Sequence, residues 1–184
     1  VIDLGPQYFF TVRRKGNLIL NLKLKHMIVA LDKAIGISKK LRKEGRLIVL
    51  AGGCFDILHT GHIKFLRNSK KQGDILFVLL ESDANVSKLK GKGRPINPQE
   101  ERAEVLSEIK SVDYVVLLPE MKSDKDYDRI VSQINPTVIA TTQDDPGIEH
   151  KKRQGRITNA KLKFVIERVK DKSTTDLNKK IEEK

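Results

Sequence analysis

A three-layer α/β/α architecture around a mainly parallel sheet of five strands is what the sequence predicts. Three observations predict it. Short apolar runs of strand length recur along the chain, amphipathic stretches with helical spacing separate them, and the first run opens into a turn bearing glycine and histidine. Continuous apolar runs mark strands covered on both faces, and such strands joined by helices build a parallel sheet. Ligands of these sheets sit beyond the carboxyl ends of the strands.

The elements follow in order. Residues 1–26 read as a basic N-terminal extension, with a basic turn at Val12–Gly16 and an alternating, edge-like strand over Asn17–Lys25; Met27, after His26, is a candidate natural start. Leu31, Ala34, Ile35 and Leu41 form a helical stripe ended by Gly45. The five expected strands are Leu47–Ala51, Ile75–Leu80, Tyr114–Leu118, Thr137–Ala140 and Leu162–Ile166. A helix over Ile63–Lys71 follows the first strand. Another runs over Pro98–Ile109, with Asn97 as its N-cap and Glu100 completing a capping box. Tyr127, Ile130, Val131 and Ile134 make an amphipathic helix, and Ser173 or Thr174 caps a last one carrying Leu177 and Ile181.

Composition narrows the function classes. The chain has 184 residues, 39% of them hydrophobic, enough for one domain with a real core. No apolar stretch approaches membrane-spanning length, and no signal-peptide pattern is present. One cysteine excludes an internal disulfide framework and fits a reducing, cytoplasmic setting. The net charge of +12 invites a nucleic-acid reading, but its distribution argues against one. Residues 1–46 hold 11 Lys and Arg against 3 Asp and Glu, so most of the excess lies upstream of the first strand. Aromatic residues, at 5%, offer little stacking surface for single strands.

The chemistry concentrates in G-C-F-D-I-L-H-T-G-H, Gly53 to His62. Directly after a buried strand, it sets His59 and His62 at the mouth of a helix, where unpaired N–H groups and the helix dipole suit an anion. Gly61 lets the chain turn tightly. A metal site needs further His or Cys partners, and only His26, His150 and Cys54 are on offer. The strand, G-x-F-D, H-x-G-H and helix together point to a nucleotide's phosphates.

Other positions agree with that reading. Arg102 shares the inward stripe of Val105, Leu106 and Ile109, so it needs a buried anion, either a structural carboxylate or a substrate phosphate. Ser87–Pro95 is a cation- and glycine-rich loop after the second strand, either a solvated basic loop or a mobile phosphate clamp. Asp144 and Asp145 follow the fourth strand, where they end a turn or hold a sugar hydroxyl or metal. Ser173-Thr174-Thr175 is a helix cap whose amides and hydroxyls also suit phosphate oxygens. Cys54 reads as a small buried residue, with no base paired to it.

These residues resemble the cytidylyltransferase-like nucleotidyltransferases, a Rossmann-like superfamily. G-C-F-D-I-L-H-T-G-H and the S-T-T before the last helix carry the likeness, which runs from about Leu31 to Ile181. Residues 27–184 are then the nucleotidyltransferase domain. Within the superfamily, S-D-A-N-V-S-K-L-K-G-K-G-R-P-I-N-P-Q-E-E-R-A-E-V-L and V-D-Y-V-V look most like the nucleotidyltransferases of ADP-heptose synthesis. The resemblance implies transfer of a nucleoside monophosphate from ATP to a heptose 1-phosphate, with release of pyrophosphate. It implies that His59 and His62 contact the triphosphate, that Lys90 holds phosphates from its loop, and that Arg102 binds phosphate from the opposite side. Gly53, Cys54, Phe55, Asp56 and Gly61 would shape the first turn of the pocket. Asp144 would lie near the nucleotide, and Ser173, Thr174 and Thr175 would close the far side. Mg²⁺ arriving with the nucleotide and a homodimeric assembly are implied as well.

Two departures from the heptose pattern bear on specificity. Thr141-Thr142-Gln143-Asp144 stands where K-G-G-D is usual, and Asp171 replaces a glycine before S-T-T. Arg168 lies where glycerol-phosphate cytidylyltransferases carry an arginine, which leans towards CTP. The alternatives are transfer to glycerol phosphate, another polyol phosphate or flavin mononucleotide, and, in another class, a non-catalytic nucleotide- or nucleic-acid-binding protein.

Overall fold

The structure is a computed structural model that describes residues 10–14, 17–21 and 27–166. Two strands, β1 (Phe10–Arg14) and β2 (Asn17–Asn21), pair antiparallel as a separate two-stranded sheet. The segment expected to be a basic turn therefore supplies strand residues Val12–Arg14, paired with the alternating run that follows.

The main body follows as β3 (Met27–Ala30), α1 (Leu31–Lys43), β4 (Ile48–Gly53), α2 (Thr60–Lys70), β5 (Ile75–Leu80), α3 (Asp83–Lys90) and α4 (Gln99–Ser107). It continues with β6 (Tyr114–Leu117), α5 (Asp124–Ile134), β7 (Val138–Thr142), α6 (Ile148–Thr158) and β8 (Lys161–Ile166). The sheet has six strands in the order β3-β6-β5-β4-β7-β8, every neighbouring pair parallel. The count exceeds the expected five because of β3. Its four residues run into the stripe of α1 without a turn between them, so the apolar pattern shows no boundary.

Continuous apolar runs became strands buried on both faces. Ile48 and Leu50 of β4, with Ile75, Phe77 and Leu79 of β5, pack under α1 and α5 against Ala34, Leu41, Ile130, Val131 and Ile134. The alternate positions, Val49 and Ala51 with Leu76, Val78 and Leu80, face Phe65 and Leu66 of α2 and Ala103 and Leu106 of α4. That period of two is the strand's own geometry and builds one core on each face of the sheet. Among the described residues no helix is long and apolar enough to cross a membrane.

Three expected details differ. Pro98 is itself the N-cap of α4 and makes no side-chain cap bond, while the Gln99 amide donates to the carbonyls of Leu80 and Leu118. Val105 faces solvent at 53% exposure, and Ala103 takes its place on the buried side. Ser87–Lys90 belong to α3 rather than to a loop. The last helix, with Leu177 and Ile181, lies outside the described residues.

The topology locates the crevice. From β4 the chain steps to β5 and β6 on one side, then returns to β7 and β8 on the other. The order reverses between β4 and β7, and ligands of such sheets bind beyond the carboxyl ends at that reversal.

One packing contact is testable. A Cβ on Gly73, in the turn from α2 into β5, would lie 2.8 Å from both the Leu47 carbonyl oxygen and Val49 Cγ2. Gly73→Ala is expected to lower unfolding stability by about 1–3 kcal/mol in a denaturant titration; an unchanged midpoint would show that the turn yields.

Candidate active site

The site begins where β4 ends. A Cβ on Gly53 would sit 3.1 Å from the Phe55 ring, so glycine is what lets the ring fold back. Phe55 has φ 44°, a left-handed conformation costly for a bulky residue, and its ring is buried against His62 with centroids 5.2 Å apart. Strain of this kind persists only where surrounding contacts enforce it. Here it aims the chain from β4 into α2.

His59 is the N-cap of α2, and the first turn fixes both imidazoles. His59 Nδ1 accepts the Gly61 N–H at 3.1 Å, and His62 Nδ1 accepts the His59 N–H at 3.4 Å. The rings stack with centroids 3.9 Å apart and planes 29° apart. With Nδ1 accepting in each ring, the proton of the neutral imidazole sits on Nε2, where it can be donated. Burial, then the neighbouring His59 and Lys90, pushes the His62 pKa down to about 4. At neutral pH His62 is therefore an uncharged donor.

Arg102 is buried, and its guanidinium donates four hydrogen bonds. Nε donates to the Asn97 carbonyl at 3.0 Å, Nη1 to the Cys54 carbonyl at 2.5 Å, and Nη2 to the Glu81 carbonyl at 2.9 Å and Asp83 Oδ1 at 2.5 Å. Of the two partners its sequence position allowed, the structural one is present: a carboxylate and three carbonyls. Asp56 has a parallel role. Buried at 3% exposure, its carboxylate accepts from the Arg94 guanidinium and, at 2.7 Å, from the Ile96 N–H. This ties the segment after α3 to the turn after β4.

Lys90, the last residue of α3, is exposed and makes no hydrogen bond or ion pair with the described residues. Its charge bears on both His62 and Cys54, which places it over the same pocket. Burial pushes the Cys54 thiol up, so it is no nucleophile at neutral pH. Lys88, by contrast, is paired with Glu120 at 2.6 Å.

On the β7 side, Asp144 is exposed, and Asp145 is the carboxylate that turns inward. It accepts from Thr141 Oγ1 and the Gly147 N–H, both at 2.7 Å, and pairs with Lys151. Burial works against the Asp145 anion, but Lys151, Thr141 and Gly147 together hold its pKa below the ordinary value. Ser173, Thr174, Thr175 and Arg168 lie outside the described residues.

The structure thus brings Gly53, Cys54, Phe55, Asp56, His59, Gly61, His62, Lys90 and Arg102 to one end of the sheet. The sequence reading missed Glu81, Arg94, Tyr127 and Lys151 as site residues. Arg94 was legible as one of several loop cations. Nothing in the local pattern marked its pairing with Asp56, 38 positions away.

His62 makes stability depend on pH. Its folded pKa of about 4 lies below the ordinary 6.5, so between these values the unfolded chain binds more protons and stability falls with acidification. Chemical denaturation should show a loss on the order of 3 kcal/mol on going from pH 7 to pH 4, over and above that of His62→Gln. Parallel pH profiles for the two proteins would mean that His62 is not buried as a neutral ring.

Comparison with known proteins agrees with this geometry. A family model described as cytidylyltransferase-like matches residues 50–180. A protein of Wolinella succinogenes named bifunctional protein HldE is 42% identical over 155 residues, covering 84% of this chain and 31% of the relative. The HldE of Nitratiruptor is 46% identical over 113 residues, 61% of this chain and 24% of its own length. The chain thus spans about a quarter to a third of these relatives. The crystal structure of a lipopolysaccharide core biosynthesis protein from Thermoplasma volcanium superposes with TM-score 0.57 at 31% identity, covering 68% of this chain and 100% of that one. With H-T-G-H seated where β4 meets α2 and the family match spanning most of the sheet, this chain belongs to the cytidylyltransferase-like family.

Proposed function

We propose that the chain transfers a nucleoside monophosphate from an NTP, ATP favoured, to a sugar 1-phosphate, a heptose 1-phosphate in the first instance, releasing pyrophosphate. The observation that carries this is the stacked His59–His62 pair, each Nδ1 held by a backbone N–H at the mouth of α2, beside the strand-order reversal. The HldE relatives and the lipopolysaccharide core protein support the choice of acceptor.

The mechanism follows from charge. An oxygen of the acceptor phosphate attacks the α-phosphorus in line; the new P–O bond forms as the bond to the bridging oxygen breaks, and that electron pair leaves with pyrophosphate. The attacking phosphate is already ionised near neutral pH, so no general base is needed and no covalent enzyme intermediate forms. Positioning and preorganised donors supply the rate. His59 and His62 donate to triphosphate oxygens, and Lys90, exposed at the end of α3, brings positive charge. Arg102 acts as a positioning residue, holding Cys54, Glu81 and Asn97 in place. Mg²⁺ enters as the nucleotide's own counter-ion. When bound it would offset phosphate charge, and the N–H donors at the helix mouth would leave its coordination to the phosphate oxygens.

Ser173, Thr174 and Thr175 closing the pocket, Asp144 near the nucleotide, a homodimer and a cytoplasmic setting belong to the same proposal and rest on the resemblance. Thr141-Thr142-Gln143-Asp144 stands where K-G-G-D is usual, and Lys151 of α6 donates to Thr141 Oγ1 at 3.4 Å, so the wall there differs from the heptose pattern. Magnesium-dependent pyrophosphate release across ATP, CTP, GTP and UTP, against heptose 1-phosphate, glycerol 3-phosphate and flavin mononucleotide, tests base and acceptor together. One strongly active combination, with ATP and heptose 1-phosphate, is expected. His59→Ala and His62→Ala should each lose about a hundred- to a thousandfold in turnover. Near-normal activity in both, or a blank matrix, would overturn the assignment.

A further inference from the structure

One acidic side chain sits where the reaction calls for cations. Glu81 follows the last residue of β5, next to the carboxyl end of β4. Leu80 faces α2 and α4, so Glu81 falls on the α5 side, and there the Tyr127 hydroxyl donates to its Oε2 at 2.9 Å. Tyr127 is itself fixed: its oxygen accepts from Asn85 Nδ2 at 2.8 Å, and Asn85 Oδ1 accepts from the Met121 N–H and the Ser82 hydroxyl, both at 3.1 Å. The brace is rigid and one-sided. Among the described residues nothing donates to the other carboxylate oxygen, Oε1, and no ion pair reaches Glu81 within 4.0 Å.

A carboxylate repels phosphate oxygens, so nucleotide and acceptor phosphate gain nothing from it. What it does attract is a cation or a hydroxyl donor, and among the described residues no group of three His, Cys, Asp or Glu stands together to hold a metal ion. Burial pushes the Glu81 pKa up, and the Tyr127 hydroxyl, Arg102 and Lys151 oppose that rise only in part. Polyol and sugar phosphates differ from simple phosphates in carrying several hydroxyls, and an anionic acceptor atom makes the stronger class of hydrogen bond with them. We infer that Glu81, held by Tyr127, receives hydroxyl groups of the acceptor and so determines selection of a hydroxyl-rich phosphate over a bare one. This rests on the transfer reaction proposed above and names the residue that recognises the acceptor's non-phosphate part.

The test uses Glu81→Gln and Glu81→Ala in the full chain, with thermal melts to confirm folding. Heptose 1-phosphate, glycerol 3-phosphate and inorganic phosphate are the probes, the last as a competitor for the acceptor. Both variants should raise the KM for heptose 1-phosphate by about tenfold or more, the scale of a lost hydrogen bond to a charged group. The KM for nucleotide and inhibition by inorganic phosphate should stay within about twofold. Direct calorimetric binding of heptose 1-phosphate and of inorganic phosphate gives the same comparison without turnover. Tyr127→Phe should show a smaller change in the same direction. Unchanged acceptor KM and affinity, an equal loss for inorganic phosphate, or a raised Mg²⁺ requirement in its place would overturn the inference. A wild-type chain that transfers to no acceptor, yet loses heptose 1-phosphate affinity in the variants, would sink the transfer reading and leave Glu81's binding role standing.

Discussion

A single buried guanidinium joins the segments that make the site. Arg102 rises from α4 and bonds the backbone after β4 at Cys54, the backbone after β5 at Glu81, and Asn97 just before its own helix, with Asp83 as its counter-charge. Each of these carbonyls gains a charged donor, the stronger class of hydrogen bond. Arginine suits this post because its planar fork keeps charge and donors in one fixed geometry. With the ends of β4 and β5 locked to α4, the Asp56–Arg94 pair can anchor the segment after α3, and Phe55 can hold its strained φ against His62.

On that frame the charge is arranged economically. His62 sits half-buried and neutral, stacked on His59 and aligned by the first helical turn, so its ring is a donor without the desolvation cost of an imidazolium ion. Free positive charge stands at the rim on Lys90, where water can solvate it until a phosphate arrives. Lys151 is neutralised by Asp145 on the β7 side, and Glu81 is held at the end of β5 by the Tyr127 hydroxyl. In the proposed reaction such a site separates the recognition of phosphate from the recognition of hydroxyl.

Much of this was legible in the chain. The two-faced cores followed from unbroken apolar runs such as Ile75–Leu80, and the crevice from the turn between β4 and α2, because both depend on local pattern. What escaped was set by partners distant in sequence. Arg102 had two allowed anions, and only the fold could place Asp83 and Cys54 beside it. Asp144 and Asp145 were both legible after the fourth strand, but only the fold shows that the turn sends Asp145 inward and leaves Asp144 exposed. Glu81 carried no signal, since a lone carboxylate after a strand has no periodicity to betray it. β3 was missed for the opposite reason, its four apolar residues merging with the stripe of α1.

The central claim is that the neutral His59–His62 pair is the seat of the nucleotide's phosphates. Nitrogen-resolved NMR of the histidine rings, with and without magnesium-nucleotide, tests it most directly. The account predicts Nε2–H tautomers for both rings at neutral pH, and clear shifts of both on adding ATP or CTP, while the exposed His150 of α6 stays put. Rings that carry the proton on Nδ1, or that do not respond when nucleotide binds, would contradict it.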